Sequence, residues 1–296
     1  MNEDLKTRFL AYMAADRGRS PHTLRVYGDT LREVEAYFTA LDEGITWQTL
    51  DKDVIRRWMA ERIEGGLKPR SIKNHLSALR SFYKYLHLIG AVDKNPMLLL
   101  ENPKTDKPLP TFLKESEMNR LFDNVDFGSD FNAHRDRLIL LTFYTTGIRL
   151  SELIGLRLSD IHLASGDLKV LGKRNKERIV PFGDELRREM SAYIDLRHAE
   201  HGPGDGPLFP GKGGRPLTAN QVRRIVQQNL ARVTQQKKKS PHVLRHTFAT
   251  VMMNHGADLE AVRRLLGHES LATTQIYTHT TFAELKKEYQ NAHPRA

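Results

Sequence analysis

The stretch DLKVLGKRNKERIVPF, residues 167–182, decides the fold class, because it is where the helical periodicity of the chain stops. Leu168 and Val170 alternate with polar neighbours before the turn-prone KRNK. Ile179 and Phe182 are expected to point inward after it, so the segment reads as a β-hairpin with a basic tip. Outward from it, apolar residues recur at helical steps. Helices are expected at 184–199, 218–233, 241–255, 258–266 and 281–290 on one side. On the other they are expected at 115–124 and from Arg135 to Thr146, where Gly147 supplies a left-handed cap. The class is mainly α with a small β hairpin or sheet.

Further back, GAVDKNPMLLLENPKTDKPLPT (90–111) holds Pro96, Pro103, Pro108 and Pro110. Each lacks an amide donor and restricts its predecessor, so an extended linker is expected at 91–111, between a domain at 1–90 and another at 112–296. The first ninety residues read as all helix. Ser20-Pro21 is a cap and first-turn proline, followed by Leu24, Tyr27, Leu31, Val34 and Phe38 on one face. Trp47 and Leu50 precede Asp51 in a loop, and a second helix carries Val54, Trp58 and Ile63. Pro69 opens a third, with Ile72, Leu76, Leu79, Phe82 and Leu86 on one face and Arg70, Lys73, Arg80 and Lys84 on the other. Tyr83 and Tyr85 in that helix read as packing or base-stacking residues.

Composition narrows the partner. The 296 residues suit two domains of ~100–200 residues each. Lys+Arg 46 against Asp+Glu 36 gives +10, which points to a polyanion. Residues 206–257 hold nine Lys/Arg and no carboxylate, and residues 65–92 hold Lys68, Arg70, Lys73, Arg80 and Lys84, again with none. Solvated faces ordinarily mix signs, so two acid-free stretches, one in each half, suggest two surfaces facing one polyanion. The chain has no cysteine, which excludes disulfide scaffolds, zinc fingers and thiol catalysis. An acidic start and the lack of any apolar run near ~18 residues disfavour secretion and a membrane span, so a cytoplasmic protein is expected.

Four stretches are informative together: TTGIRLSEL (145–153), LGKRNKERIVP (171–181), SPHVLRHTFAT (240–250) and LLGHESLATTQIYTH (265–279). In order and spacing they resemble the arginine, lysine, His-x-x-Arg, histidine and tyrosine motifs of the tyrosine recombinases, the phage-integrase-type site-specific recombinases. The ending, QIYTH followed by AHPRA, is most similar to that of the bacterial Xer recombinases. The resemblance spans essentially the whole chain. It implies a two-domain DNA clamp, with a helical core-binding domain and a catalytic domain carrying Arg149, Lys173, His242, Arg245, His268 and Tyr277. Glu152 matches an acidic position that supports Arg149. The implied reaction is DNA strand exchange through a covalent 3′-phosphotyrosine, without cofactor or metal. The implied assembly is a homo-oligomeric or paralogue-containing tetramer on duplex DNA, with the final helix (Phe282, Leu285, Tyr289) resembling the element that docks onto a neighbour.

Physical chemistry asks for the same residue types. Attack on a phosphodiester builds charge on nonbridging oxygens, and two permanently charged guanidiniums can each fork two of them. A phenol of pKa ~10 is about one part in a thousand ionised at pH 7, so a base is needed; His242 is a candidate. Lys173 is the candidate acid for the leaving 5′-oxygen, and His268 a donor to the phosphate. Arg174, Lys176 and Arg178, with Arg70, Lys73, Arg80 and Lys84, are candidate DNA contacts. Blander readings stand beside these. Arg149 could be a helix-start partner of Glu152, Lys173 one cation of a solvated turn, and His242 with His246 a zincin-like spacing without its glutamate. A binding protein without chemistry and a type IB topoisomerase are the competing functions.

Overall fold

The computed structural model describes residues 2–104, 111–172, 176–267 and 282–296. The chain divides into two compact units, Met1–Pro108 and Leu109–Ala296.

The first unit is built from α1 (Asn2–Ala15), α2 (Pro21–Leu41), α3 (Lys52–Glu64) and α4 (Pro69–Leu88). Ser20 caps α2 and Asp51 caps α3, the latter accepting from the amides of Asp53 and Val54 at 2.8 and 2.9 Å. These bonds satisfy amides that the first turn leaves without partners. The five apolar residues expected on α4 are all buried, with Leu31, Val34 and Phe38 of α2. Trp47 is wedged between Phe38 and Phe82, its ring 4.9 and 5.0 Å from theirs, edge-on to both. Tyr83 is buried and donates its hydroxyl to the carbonyl of Trp47 at 3.0 Å, while Tyr85 packs against Phe9 and Tyr12. Both are packing residues, and the base-stacking alternative falls away. Ile63 is an exception to its expected face. It lies five residues beyond Trp58, about 140° round the helix, and so turns outward.

The stretch expected to be a bare linker from residue 91 is corrected in its first part. Val92, Met97 and Leu100 are buried in the first unit's core, and Pro96–Leu99 is a 3₁₀ turn capped by Asn95. Pro96 starts that turn because its fixed φ suits a first helical position. Arg80 clamps the end of the turn, donating to Leu100 O and Asn102 Oδ1, each at 2.7 Å.

The second unit is wrapped round α6 (Phe131–Thr146), whose last nine residues, Leu138–Thr146, are all buried. Thr142, Thr145 and Thr146 are tolerated there because each hydroxyl donates to the carbonyl four residues back. Around α6 lie α5 (Glu115–Asp123), α7 (Leu150–Gly155), α8 (Asp184–His201), α9 (Ala219–Leu230), α10 (Pro241–Asn254), α11 (Leu259–Leu266) and α12 (Phe282–Ala292). The sheet has a strand more than the expected hairpin: β1 (Ile161–His162), β2 (Asp167–Leu171) and β3 (Glu177–Pro181) are antiparallel in that order.

Register corrects one reading of the hairpin. Leu168 faces Val180 and Val170 faces Arg178, so the inward face of β3 carries Arg178 and Val180, with Phe182 beyond. Val180 is 1% exposed and Ile179 is 47% exposed. Two-residue periodicity allows only one parity, and the volume beneath the sheet is filled by Val180 and Phe182.

At the C-terminal end, Leu285 and Tyr289 of α12 pack against Phe248, Met252, Val262 and Leu265 of the same unit, leaving Phe282 at the rim. Arg295 then bonds to Glu185, Asn119 and both oxygens of Asp123, over the ring of Phe122. The apolar stripe of α12 is thus used inside its own unit.

Candidate active site

The turn between α6 and α7 begins the site. Gly147 sits at φ 60°, and a Cβ there would come within 2.5 Å of Phe248 Cδ1 and 2.9 Å of Leu266 Cδ2. Only glycine permits both that conformation and that approach. The chain then turns so that Arg149 caps α7, and Glu152, three residues on, reaches back to accept from the Arg149 amide at 2.7 Å. This bond, one half of a capping box, holds the backbone of Arg149 at the start of the helix.

Three guanidiniums converge on the last turn of α11. Arg178 Nε donates to Leu265 O at 3.3 Å, Arg245 Nη2 to Leu266 O at 2.6 Å, and Arg149 Nη2 to Gly267 O at 2.8 Å. Arg245 Nη1 also donates to Gly147 O at 2.6 Å. These carbonyls have no partner within their own helix and carry the negative end of its dipole, so they suit clustered cations. Beneath them lies Glu152, its side chain 2% exposed. Arg149 Nη1 reaches Oε1 at 2.8 Å, and Arg178 forks across both oxygens at 2.6 and 2.9 Å.

The electrostatics follow from this packing. Burial pushes the Glu152 carboxyl up, but the Arg178 fork and the Arg149 amide outweigh it and hold the pKa at about 2. Burial, helped by the positive charge of Arg149, lowers Arg245 to about 10. At neutral pH Arg245 therefore remains a cation. Such an arrangement is a ready-made receptor for a tetrahedral or pentacoordinate phosphoryl group, with donors fixed before the anion arrives.

His242 lies in the first turn of α10, one turn before Arg245, on an exposed part of the helix. Its Nε2 is 3.1 Å from Nε2 of His246, so one imidazole donates to the other. Among the described residues no group of three or more ligand-type side chains is placed to hold a metal ion. Lys173, Arg174, His268 and Tyr277 lie outside the described residues. The structure therefore brings Arg149, Arg245 and Glu152 together and places His242 on the same helix as Arg245.

Of the candidate DNA contacts, Arg70, Lys73 and Lys84 are exposed on α4. Lys73, Arg80 and Lys84 line a shallow open cavity of about 300 Å³ with Ser77, Ser81 and Asn102. Lys176 is exposed at the base of the hairpin tip, its carbonyl accepting from the Gly172 amide at 2.7 Å. Arg178 departs from the reading of a basic tip. Its side chain is 17% exposed and belongs to the arginine cluster. The sequence carried a signal for this: with Val180 and Phe182 inward, Arg178 has the same parity.

Comparison with known proteins decides the family. Residues 111–284 match the Phage integrase family, and residues 7–88 match its N-terminal SAM-like domain. A Tyrosine recombinase XerC of Pelobacter propionicus is 39% identical over 97% of this chain and 94% of its own length.

The chain belongs to the phage integrase family of tyrosine recombinases.

A XerC of Azotobacter vinelandii is 41% identical to this recombinase over 100% of the chain and 97% of the relative. The fold matches that of XerH site-specific recombinase bound to its difH substrate, with a TM-score of 0.69 and 23% identity over 95% of this chain and 83% of that one. It also matches a lambda integrase dimer bound to a COC′ core site (TM-score 0.67, 18% identity, 95% and 98% coverage). The expectation of a mainly helical, Xer-like site-specific recombinase holds. No helix among the described residues is long and apolar enough to cross a membrane.

Proposed function

We propose that this recombinase cleaves duplex DNA with Tyr277 as nucleophile. The phenol oxygen bonds to the scissile phosphorus and the bond to the 5′-oxygen breaks, leaving a 3′-phosphotyrosine. Arg149 and Arg245 hold the nonbridging oxygens and His268 donates to one of them. His242 takes the phenol proton, and Lys173 supplies a proton to the departing 5′-oxygen. Attack by a 5′-hydroxyl of the partner strand reverses these steps and rejoins the DNA. The observation that carries the reading is the pair of guanidiniums on adjacent carbonyls of one helix end, Gly267 O and Leu266 O. A protein that only bound DNA would gain little from desolvating them.

The full-length likeness to XerC proteins supports a cytoplasmic role in resolving chromosome dimers over mobile-element integration. In this reading the helical first unit, Met1–Pro108, and the catalytic second unit, Leu109–Ala296, both contact the duplex. Four subunits, of this chain alone or with a paralogue, assemble on two sites. Neither metal nor cofactor takes part.

A nicked suicide duplex tests the assignment, because the fragment beyond the cleavage point diffuses away and traps the adduct. Wild type should accumulate a covalent complex, and Tyr277→Phe should bind equally well and form none. An adduct with the Phe variant would place the nucleophile elsewhere.

A further inference from the structure

Glu152 has four acceptor positions, and all four are taken. Two go to Arg149, through its amide and Nη1, and two to Arg178, through Nη1 and Nη2. The division is unequal in charge. Arg178 meets the carboxylate with a complete two-nitrogen fork, whereas the Arg149 guanidinium gives it one nitrogen and spends the other on Gly267 O. Two cations thus share one buried anion, and the anion is paired geometrically with Arg178.

We propose that Arg178 is a positioning residue for strand cleavage: by occupying Glu152 through both nitrogens, it keeps that carboxylate from neutralising Arg149. The inference rests on the assignment of Arg149 to the scissile phosphate. Without Arg178, Glu152 would be a buried anion still hydrogen-bonded to Arg149, and Arg149 would rotate into the vacated fork. The charge meant for the phosphate would then be cancelled inside the protein, where low polarisability makes the pairing strong.

Arg178 is built to stay in place. It stands opposite Val170 in the sheet register, donates Nε to Leu265 O, and lies flat over Gly267. A Cβ on Gly267 would sit 3.1 to 3.2 Å from Cδ, Nε and Cζ of Arg178. The glycine is therefore needed for its φ of 64° and also to make room for the guanidinium.

Single-turnover cleavage of the suicide duplex at saturating DNA, with the dissociation constant measured separately, tests the proposal. Arg178→Ala should cleave about 10²-fold more slowly, the scale of losing one preorganised donor, and bind DNA within about twofold of wild type. Adding Glu152→Gln should restore at least about tenfold, because no carboxylate then remains to capture Arg149. Arg178→Lys, which keeps the charge but not the fork, should fall between. Weakened binding with a normal cleavage rate would make Arg178 a DNA backbone contact and overturn the proposal. A double variant no faster than Arg178→Ala would overturn it too, leaving Arg178 a fold-supporting residue. If Arg178→Ala does not fold, the double variant is compared with Glu152→Gln alone. In that background loss of Arg178 should cost less than about threefold, and a full 10²-fold loss would refute the idea. Failure of wild type to form an adduct, or formation by Tyr277→Phe, would instead remove the active-site reading itself, whatever Arg178 does.

Discussion

The two units of this recombinase use positive charge in opposite ways. On α4, Lys73 and Lys84 stand in solvent on one side of a helix whose other side is aromatic and aliphatic core. Around Gly267, three buried or half-buried arginines are fixed on backbone carbonyls and a buried glutamate. Solvated cations attract a polyanion and are screened by salt, but their flexible stems impose no geometry on it. Desolvated guanidiniums have their orientation set in advance, and their interaction with an incoming phosphate is strengthened because water is absent. The first arrangement suits holding DNA, and the second suits changing one of its bonds. Arg80 is intermediate: it lines the α4 cavity while clamping Leu100 and Asn102, so it ties the segment after the 3₁₀ turn to the cationic side of its unit.

The contrast can be broken most decisively at Arg245. Arg245→Lys keeps the charge but cannot bridge Gly147 O and Leu266 O together, so cleavage at saturating DNA should fall by about 10²–10³-fold. Binding should change little. A lysine variant with near-normal cleavage would show that the site needs only charge, as α4 does, and the distinction would collapse. On the other side, Lys73→Ala with Lys84→Ala should weaken binding and reduce the slope of log affinity against log salt by ~1.8, at ~0.9 for each phosphate no longer neutralised. Its maximal cleavage rate should fall far less than that of the Arg245 variant. An unchanged slope would mean that the α4 face does not touch phosphate.

Acid titration sharpens the same comparison. Glu152 is held near 2 in the folded protein against an ordinary 4.5. The unfolded chain therefore takes up a proton first as pH falls. The stabilisation from this carboxylate is complete above about pH 4.5 and is lost between there and about pH 2. Glu152→Gln should lower stability at pH 7 and flatten the acid limb across that window, measured by thermal unfolding in a pH series. A parallel acid limb would mean that the carboxylate is not the buried hub of the cluster. The smallest effects are expected in the hairpin. Val180→Thr should cost about 1–3 kcal/mol by burying a hydroxyl, and Ile179→Thr should stay within about 0.5 kcal/mol. The reverse order would shift the register by one residue and turn Arg178 out of the site.

Sequence alone determined much of this protein, for a local reason. Capping at Ser20 and Asp51, the left-handed Gly147 and the apolar stripes of α2 and α4 are set by residues within a turn or two of one another. The resemblance of the motifs to those of the tyrosine recombinases likewise singled out Arg149, Glu152, His242 and Arg245 as candidates. Tertiary structure alone decided the rest. Ile179 and Val180 are equally apolar, and only the space beneath the sheet chose Val180. That choice turned Arg178 inward, so a residue that read as part of a basic tip became the partner of a glutamate 26 positions away. Met97 and Leu100 belong to the first core, although their proline-rich surroundings read as linker, because a local pattern cannot report which distant surface is there to cover them. Likewise, no spacing in LLG reveals that its three carbonyls will each receive a guanidinium from a different element. A backbone acceptor is the same in every residue, and only the fold decides what it faces.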